Sequence, residues 1–283
     1  MAGNRTPAFT RGRGFSIVGR ATASLLERRL SYCLCQQILE RVIIAGYTRF
    51  MAVKVRPEFL KDQPRMRKLG KEVRERLAAN PQMWKLPSDK AEVWAYADFM
   101  TPLECERLIA MIDAVAKPST VFDTESRDGL RTYYAEGYRT SYSGDVHPHD
   151  PFVKKINRRL NDLLGIEPGY GETIQGQRYM PGQEFKDHHD WFHPNTNYWD
   201  FEMSRGGQRA LTAMVFLNEV EEGGTTDFTK LEISIEPKPG VLLLWNNADV
   251  DGLPNHNTIH AGRPVEKGVK YVFTKWYRAQ KWT

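Results

Sequence analysis

The chain has 283 residues, enough for one large domain with attached helices or for two domains. Its apolar fraction of 41% and charged fraction of 27% are those of a globular protein, and no apolar run reaches the ~18 residues that span a bilayer. The net charge of +5 is uneven: residues 1–50 and 51–90 each carry +6, so the remainder carries −7. The basic pI is therefore no sign that the acidic remainder binds nucleic acid.

Cysteine usage favours a reducing compartment. The chain has three cysteines, which give no disulfide framework, and we therefore expect a cytoplasmic location. Cys105 falls on the apolar face of a predicted helix, where a buried and unreactive thiol is the simplest interpretation.

Residues 1–50 are predicted to form a basic N-terminal extension. The first twenty are polar, rich in Gly and Arg and without periodicity, which predicts disorder. Apolar residues then recur at every fourth position from Leu26 to Val42, which predicts an amphipathic helix that ends before Gly46. This helix could be a targeting segment or could bind a partner or a membrane surface. We favour a third interpretation, in which translation begins at Met51 and the extension is dispensable.

Residues 51–91 are predicted to be a basic helical lead-in to the main domain. An apolar stripe at helical spacing runs from Met66 to Leu77, and Asn80-Pro81 ends the helix. The charged positions of this helix are interpreted as a solvated face rather than a binding patch.

The main domain is predicted to comprise residues 92–283. It opens with a strand, VWAYADF, and two helices with clear N-terminal signals follow. Thr101–Glu104 reads TPLE, a capping box with Pro at the first helical position, and Asp150 followed by Pro starts the second helix. Between these helices lies the polar segment Val121–Ser141, and a loop of this length in a compact domain is often functional.

Short strand-like segments separated by Pro-Gly, Gly-Gly and Asn-Asn turns dominate from Thr173 onward. Helices first and strands later predict an α+β fold in which helices cover one sheet. Several short strands at such spacing are typical of a sandwich or a jelly roll. The predicted strands are TIQGQRYM, RALTAMVFLN, LEISIEP, VLLLW and KYVFTKWY.

The segment RYMPGQEFKDHHD ends with residues that form a candidate metal site. Side chains alternate along a strand, so His188 and Asp190 point to one face and His189 to the other. One His and one carboxylate are two of the three ligands of a 2-His-1-carboxylate triad that holds Fe(II), and His260 is the candidate third ligand. Rival triads with His193 or His256 are conceivable. A zinc site is the weaker choice, because structural zinc usually has four protein ligands, commonly with Cys.

Lys270 is a second candidate site residue. It shares its strand face with Val272 and Thr274, and a cation that points into a barrel needs a counter-charge. The sequence therefore predicts a buried lysine that binds a carboxylate.

These segments resemble a known family. YMPGQEFKDHHD, RALTAMVFLNEVEEGGTTDF, PKPGVLLLW and IHAGRPVEKGVKYVFTKW are similar to the core of prolyl 4-hydroxylase-type dioxygenases, over roughly Val93 to Lys281. The resemblance implies a double-stranded β-helix (jelly-roll) core flanked by N-terminal helices. It also implies that the loop Val121–Ser141 folds over the active site when substrate binds.

The resemblance further implies Fe(II), 2-oxoglutarate as co-substrate and L-ascorbate to maintain the iron. Lys270 would bind the distal carboxylate of 2-oxoglutarate, with Tyr179 and, more weakly, Thr212 adding hydrogen bonds. Some relatives have a tyrosine where this chain has Phe216, so a tyrosine contact from that strand is not expected here.

The implied reaction uses O2 to hydroxylate an unactivated C–H bond and releases succinate and CO2. Arg139, Arg209 and Trp276 match family positions near the substrate groove, which favours a peptide that carries proline. A free amino acid or another small molecule is the alternative. A nucleic-acid demethylase is disfavoured by the acidic charge of the domain, and an inactive binding module by the presence of all three metal ligands and Lys270.

Overall fold

The computed structural model describes residues 17–19, 60–122, 132–133, 137–194 and 196–283. The helix predicted from Leu26 to Val42 and most of the loop Val121–Ser141 lie outside these residues. None of the helices within the described ranges is long and apolar enough to cross a membrane. The helices are α1 (Gln63–Ala79), α2 (Pro102–Val115), α3 (Pro151–Leu164) and α4 (Trp199–Ser204), with 3₁₀ turns at Pro168–Tyr170 and His256–Thr258.

Strands are the main regular secondary structure in the C-terminal half of the chain. The described residues form β1 (Ile17–Gly19), β2 (Trp84–Lys85), β3 (Val93–Tyr96), β4 (Lys117–Pro118), β5 (Val121–Phe122), β6 (Thr132–Tyr133), β7 (Tyr142–Asp145), β8 (Gln175–Tyr179), β9 (Phe185–His188), β10 (Arg209–Phe216), β11 (Glu222–Gly223), β12 (Thr226–Phe228), β13 (Ile233–Ile235), β14 (Leu242–Asn246), β15 (His260–Gly262), β16 (Val265–Lys267) and β17 (Lys270–Arg278).

Two antiparallel sheets organise the fold. The larger sheet has the order β2-β3-β14-β10-β17-β8-β7-β4, and the smaller has the order β1-β13-β12-β15-β9. β11 and β16 form a separate pair, as do β5 and β6. Helices precede most of the strands along the chain, so the predicted α+β class is confirmed.

The helix starts follow the predicted signals. The Thr101 hydroxyl accepts a hydrogen bond from the Glu104 amide and the Glu104 carboxylate accepts one from the Thr101 amide, which completes the capping box of α2. The Asp150 carboxylate caps α3 by accepting from the amides of Phe152 and Val153. Gly165 ends α3 in the left-handed region at φ +70°, which a side chain would disfavour.

The larger sheet is buried on both faces, and its strands sort their side chains by alternation. On β10, Ala213 and Val215 pack towards the helices, whereas Met214 and Phe216 pack towards the smaller sheet. Leu244 on β14 belongs to the helix side in the same way. Two hydrophobic layers result, one between helices and sheet and one between the two sheets.

Described residues of both segments before residue 92 pair with or pack on the main domain. Met66, Val73 and Leu77 of α1 lie in the helix-side layer, so the lead-in packs as part of the domain. The Asp62 carboxylate just before α1 accepts hydrogen bonds from the Gln208 amide and the Gln280 side chain. The strand β1 pairs with β13 at the edge of the smaller sheet, where the sequence had predicted disorder.

Gly176 on β8 is predicted to be required by close packing of α2. A methyl group at this position would lie 2.2 Å from Cγ1 of Ile112. We expect Gly176→Ala to lower the free energy of unfolding by about 1–3 kcal/mol in urea denaturation, as overpacked cores do. Combining it with Ile112→Ala should give a loss smaller than the sum of the two single losses.

Gly169 provides the matched control. A methyl group there would lie 3.8 Å from the Lys281 side chain, so Gly169→Ala should change stability by less than about 0.5 kcal/mol. Additive losses for the Ile112 and Gly176 pair would contradict the proposed steric conflict.

Candidate active site

Three side chains converge between the two sheets. His188 ends β9 and His260 begins β15, and the two residues are paired across these neighbouring strands. Asp190 lies two residues beyond β9 and continues its alternation, so it joins His188 on one side. The ligand atoms of the three residues lie within 4.8 Å of one another. Each imidazole Nε2 is 3.9 Å from an oxygen of Asp190.

The orientation of both imidazoles is fixed by backbone contacts. His188 Nδ1 lies 2.8 Å from the Lys186 carbonyl oxygen, and His260 Nδ1 lies 3.0 Å from that of Thr258. A carbonyl only accepts, so each Nδ1 carries the proton and each Nε2 presents its lone pair to the centre of the group. Phe185 stacks on His188 with ring centroids 3.6 Å apart, which restricts rotation of that ring.

Burial sets the protonation states that a metal requires. Burial, together with the nearby His260, lowers the pKa of His188 to about 3. Burial alone would raise the pKa of Asp190, but the neighbouring His260, His188 and Arg209 lower it overall. At neutral pH His188 is thus a neutral imidazole and Asp190 an ionised carboxylate, the forms that bind metal.

A hydrogen-bond chain supports the carboxylate from behind. Thr212 is fully buried on β10, and its hydroxyl donates to Asp190 Oδ2 at 2.7 Å. The same hydroxyl accepts from the side-chain amide of Asn247 at 2.9 Å. Thr212 therefore contacts the carboxylate ligand, a role that differs from its predicted contact with 2-oxoglutarate.

The rival histidines lie elsewhere. His189 Nε2 is 3.3 Å from the His256 carbonyl oxygen, and the rings of His189, His193 and His256 all lie near Trp191. His256 lies in a 3₁₀ turn that leads into β15, as its local sequence predicts. Among the described residues only the His188, Asp190 and His260 group has ligand spacing.

The three candidate ligands open onto a cavity whose floor is the larger sheet. Alternate residues of β17 line it, on the strand face that the sequence predicts for Lys270: Lys270, Val272, Thr274 and Trp276. The neighbouring β8 contributes Tyr179 opposite Lys270 and Gln177 opposite Val272.

Lys270 is a buried cation at one end of this floor. It is 2% exposed, and its ammonium donates to the Thr226 hydroxyl at 3.1 Å and the Thr225 carbonyl at 3.3 Å. Within the described part of the chain it forms no ion pair with a carboxylate. Burial lowers its pKa to about 7, a shift that Asp227 opposes. The rings of Tyr179 and Phe216 lie 5.5 and 5.6 Å from the ammonium.

The predicted substrate residues fall into two groups. Arg139 and Trp276 line the cavity, and Arg139 Nε and Trp276 Nε1 are buried without a hydrogen-bond partner among the described residues. Arg209 is held instead by a bidentate ion pair with Glu172, at 2.7 and 2.8 Å. Its guanidinium lies 3.9 Å from the Trp276 ring centroid, so it supports the indole.

The cavity residues that sequence reasoning missed include Gln177, Phe185 and Thr226. Gln177 could have been found, because it shares the strand face of Tyr179. Phe185 likewise precedes His188 in the strand that carries the metal ligand, but no local signal showed that it stacks on the imidazole. Thr226 comes from the smaller sheet, and its contact with Lys270 depends on how the two sheets pack.

The donor set fits iron better than structural zinc. Two imidazole nitrogens and one carboxylate oxygen, with no fourth ligand among the described residues, form the facial set of non-haem Fe(II) oxygenases. A structural zinc site would have four protein ligands. A buried lysine without an anion, in the same cavity, is suited to a co-substrate with a free carboxylate.

Comparisons with known proteins point to one family. Residues 174–278 match the model of the 2OG-Fe(II) oxygenase superfamily. Probable prolyl 4-hydroxylase 4 of Arabidopsis thaliana is 30% identical over 218 residues, 70% of either chain. Prolyl 4-hydroxylase 2 of the same plant is 30% identical over 219 residues, again 70% of either chain. A viral collagen prolyl hydroxylase from Paramecium Bursaria Chlorella virus-1 is 27% identical, with a TM-score of 0.49 over 65% of this chain and 94% of that one.

The chain belongs to the prolyl 4-hydroxylase family, as its motifs predict. It is a 2-oxoglutarate-dependent dioxygenase that uses Fe(II). The observed His-Asp-His group and the buried lysine are the features of this chain that suit both requirements.

Loss of any one proposed metal ligand should abolish turnover. We expect His188→Ala, Asp190→Ala and His260→Ala to release no succinate from 2-oxoglutarate, because a three-ligand site has no spare donor. Circular dichroism should show an intact fold. His189→Ala is the control with the neighbouring imidazole removed, and it should retain most activity because that ring contacts the His256 carbonyl instead. Full activity in any of the three ligand variants would refute the assignment.

Thr212→Val tests whether the hydroxyl serves the metal ligand or the co-substrate. The change is nearly isosteric and removes the donor to Asp190 Oδ2. We expect roughly ten- to a hundredfold weaker metal binding, as for other groups that orient a ligand. The affinity of the metal-loaded protein for 2-oxoglutarate should stay the same, and Thr212→Ser should restore metal binding. A selective loss of 2-oxoglutarate affinity would instead support the co-substrate contact.

Proposed function

We propose that this protein hydroxylates a prolyl residue within a peptide, using Fe(II), 2-oxoglutarate and O2 and releasing succinate and CO2. The proposal assigns Fe(II) to His188, Asp190 and His260, and the distal carboxylate of 2-oxoglutarate to Lys270 and Tyr179. L-Ascorbate is the proposed reductant that maintains Fe(II). The observation that carries the proposal is the buried ammonium of Lys270, which has no carboxylate partner among the described residues and lies in the same cavity as the three ligands.

The topology supports a double-stranded β-helix of jelly-roll type. From β8 to β17 the chain alternates between the two sheets: β8, β10, β14 and β17 belong to the larger sheet, and β9, the consecutive strands β12 and β13, and β15 belong to the smaller one. This alternation encloses a space between the sheets, and metal ligands from the smaller sheet face the floor formed by the larger one.

The co-substrate end of the cavity is suited to a carboxylate. An ammonium held by one hydroxyl and one carbonyl still has a third donor to offer. Its lowered pKa shows that burial of the charge is incompletely compensated, and a bound anion would compensate it.

The other end is suited to a peptide. Arg139 Nε and Trp276 Nε1 are buried donors that need acceptors, and peptide carbonyls supply them. The indole offers an apolar face for a pyrrolidine ring, and Arg209 and Glu172 fix its position. The domain is net acidic, which disfavours a nucleic-acid substrate.

Iron with its co-substrate supplies the oxidising chemistry when bound, and the chain supplies binding and orientation. Lys270 and Tyr179 set the position of the distal carboxylate relative to the three ligands. Phe185 and Trp245 pack against His188 and His260, which holds both rings and limits access of water.

Mass spectrometry on a library of proline-containing peptides tests the substrate class. The expected result is a gain of one oxygen on proline that requires 2-oxoglutarate and is lost in His188→Ala. Oxidation of free amino acids with no change to any peptide would replace the peptide substrate with a small molecule. Uncoupled release of succinate alone would leave the dioxygenase class intact but reject proline.

Lys270→Ala should weaken 2-oxoglutarate binding selectively. A hydrogen bond to a charged group contributes about 1.5–3 kcal/mol, which corresponds to a loss of roughly ten- to a hundredfold in affinity. Fe(II) binding should be unchanged, and Lys270→Arg should recover only part of the loss, since a planar guanidinium does not replace a compact ammonium. Binding of Fe(II) and of 2-oxoglutarate is measured, in the absence of oxygen, by the absorption band that 2-oxoglutarate chelation produces on Fe(II). Equal affinities in wild type and Lys270→Ala would reject this role.

The pH dependence of the same titration provides a second check. The pKa of Lys270 is about 7 in the unliganded protein, and a bound carboxylate should raise it. Binding is then strongest below pH 7, where the ammonium is already charged, and weakens as pH rises above 7 by up to about tenfold per unit. Lys270→Ala should lack this dependence.

A further inference from the structure

A polar chain crosses the cavity floor between the two ends. The Tyr179 hydroxyl donates to Gln177 Oε1 at 3.0 Å, and Gln177 Nε2 donates to the Thr274 hydroxyl at 3.2 Å. Gln177 Nε2 also lies 3.5 Å from Gln175 Oε1, which accepts from Arg139 Nη2 at 2.9 Å. Gln177 thus connects the proposed co-substrate residue Tyr179 with the proposed substrate residue Arg139.

The strand register explains this position. Tyr179 is paired with Lys270, Gln177 with Val272 and Gln175 with Thr274. Gln177 therefore occupies the middle row of the floor, one row from the ammonium and one row from Thr274. It is 6% exposed and lines the cavity, so its polar atoms depend on partners inside the protein.

Two acceptors compete for one proton. A phenolic hydroxyl has a single hydrogen to donate, and in this structure Tyr179 gives it to Gln177 Oε1. A carboxylate held beside Lys270 is the stronger acceptor, because hydrogen bonds to ionised groups are about twice as strong as neutral ones. When Tyr179 turns its proton to that carboxylate, Gln177 Oε1 is left buried without a donor.

We propose that Gln177 is a substrate-binding residue, whose carboxamide oxygen is released from Tyr179 by 2-oxoglutarate and then accepts a hydrogen bond from an N–H of the peptide. The proposal rests on the function proposed above. Gln177 Nε2 stays on Thr274, so the orientation of the amide is kept while its oxygen changes partner. A buried acceptor without a donor is costly, so bound 2-oxoglutarate favours a ligand that brings an N–H.

The consequence is a reciprocal coupling between the two ligands. Peptide affinity rises when 2-oxoglutarate is bound, and 2-oxoglutarate affinity rises by the same factor when peptide is bound. One hydrogen bond gained or lost sets this factor at roughly three- to tenfold.

Gln177→Met tests, without any peptide, whether Gln177 competes with 2-oxoglutarate for the Tyr179 proton. The variant keeps the length of the side chain and removes the acceptor that competes for the Tyr179 proton. We expect 2-oxoglutarate to bind about two- to tenfold more tightly than in wild type, measured by the chelation band of the Fe(II) protein without oxygen. Tyr179→Phe should bind it more weakly. A merely structural role for Gln177 would not tighten binding, so unchanged or weaker affinity in Gln177→Met overturns the inference.

Peptide binding tests whether the released Gln177 oxygen accepts a hydrogen bond from the peptide. Anaerobic Fe(II) protein is titrated with a fluorescent (Ala-Pro)5 peptide, with and without 2-oxoglutarate. In wild type the affinity should rise about three- to tenfold with 2-oxoglutarate, and this gain should vanish in Gln177→Met. The same peptide with N-methylated alanines offers no internal N–H and should show no gain with wild type, a control that does not depend on the folding of a variant.

The outcomes separate the two proposals. A gain that persists in Gln177→Met or with the N-methylated peptide overturns the role of Gln177 and leaves the hydroxylase proposal standing. A wild type that binds neither peptide overturns the peptide substrate, whereas the 2-oxoglutarate affinity of Gln177→Met still decides whether Gln177 holds the Tyr179 proton.

Discussion

The alternation of side chains along β17 is the constraint on which the site depends. One set of its residues, including Phe273 and Tyr277, packs under the helices, and the other set lines the cavity. A slip of one residue in its pairing with β8 or β10 would exchange the two sets and place Lys270 against the helices. The close packing of Ile112 on Gly176 and the apolar layer between the sheets oppose such a slip, so the hydrophobic core and the binding site are specified by the same register.

The buried cations of this protein differ in whether a carboxylate compensates their charge, and this difference distinguishes structural residues from candidate binding residues. Arg209 and Arg278 pair with the Glu172 carboxylate, and Arg278 also pairs with that of Glu202. Lys270 is as deeply buried, yet within the described residues it has only neutral partners. Because an uncompensated buried charge is costly, Lys270 is the cation on which the proposed carboxylate site depends.

Orientation of the ligands is achieved with backbone groups and apolar contacts more than with other charges. Backbone carbonyls fix the tautomers of both imidazoles, aromatic rings pack on them, and Thr212 with Asn247 holds the carboxylate. The carbonyl contacts of the two imidazoles are local, each spanning two residues of the chain, whereas Thr212 on β10 reaches Asp190 only because the two sheets pack together. The candidate metal centre therefore depends on local backbone geometry for its imidazoles and on sheet packing for its carboxylate.

The sequence by itself determined what depends on neighbouring residues: the capped helices, the alternation of β17, the pairing of His188 with Asp190 on one side, and the family to which the motifs belong. It did not show the contact of Thr212 with Asp190, the ion pair that draws Arg209 to Glu172, the pairing of β1 with β13, or the position of Gln177 between the two ends of the cavity. Strand parity is a property of a few consecutive residues, so it can be read locally. Which strands face each other, and which polar groups share one proton, is decided by the packing of segments far apart in the chain, and only the tertiary structure contains it.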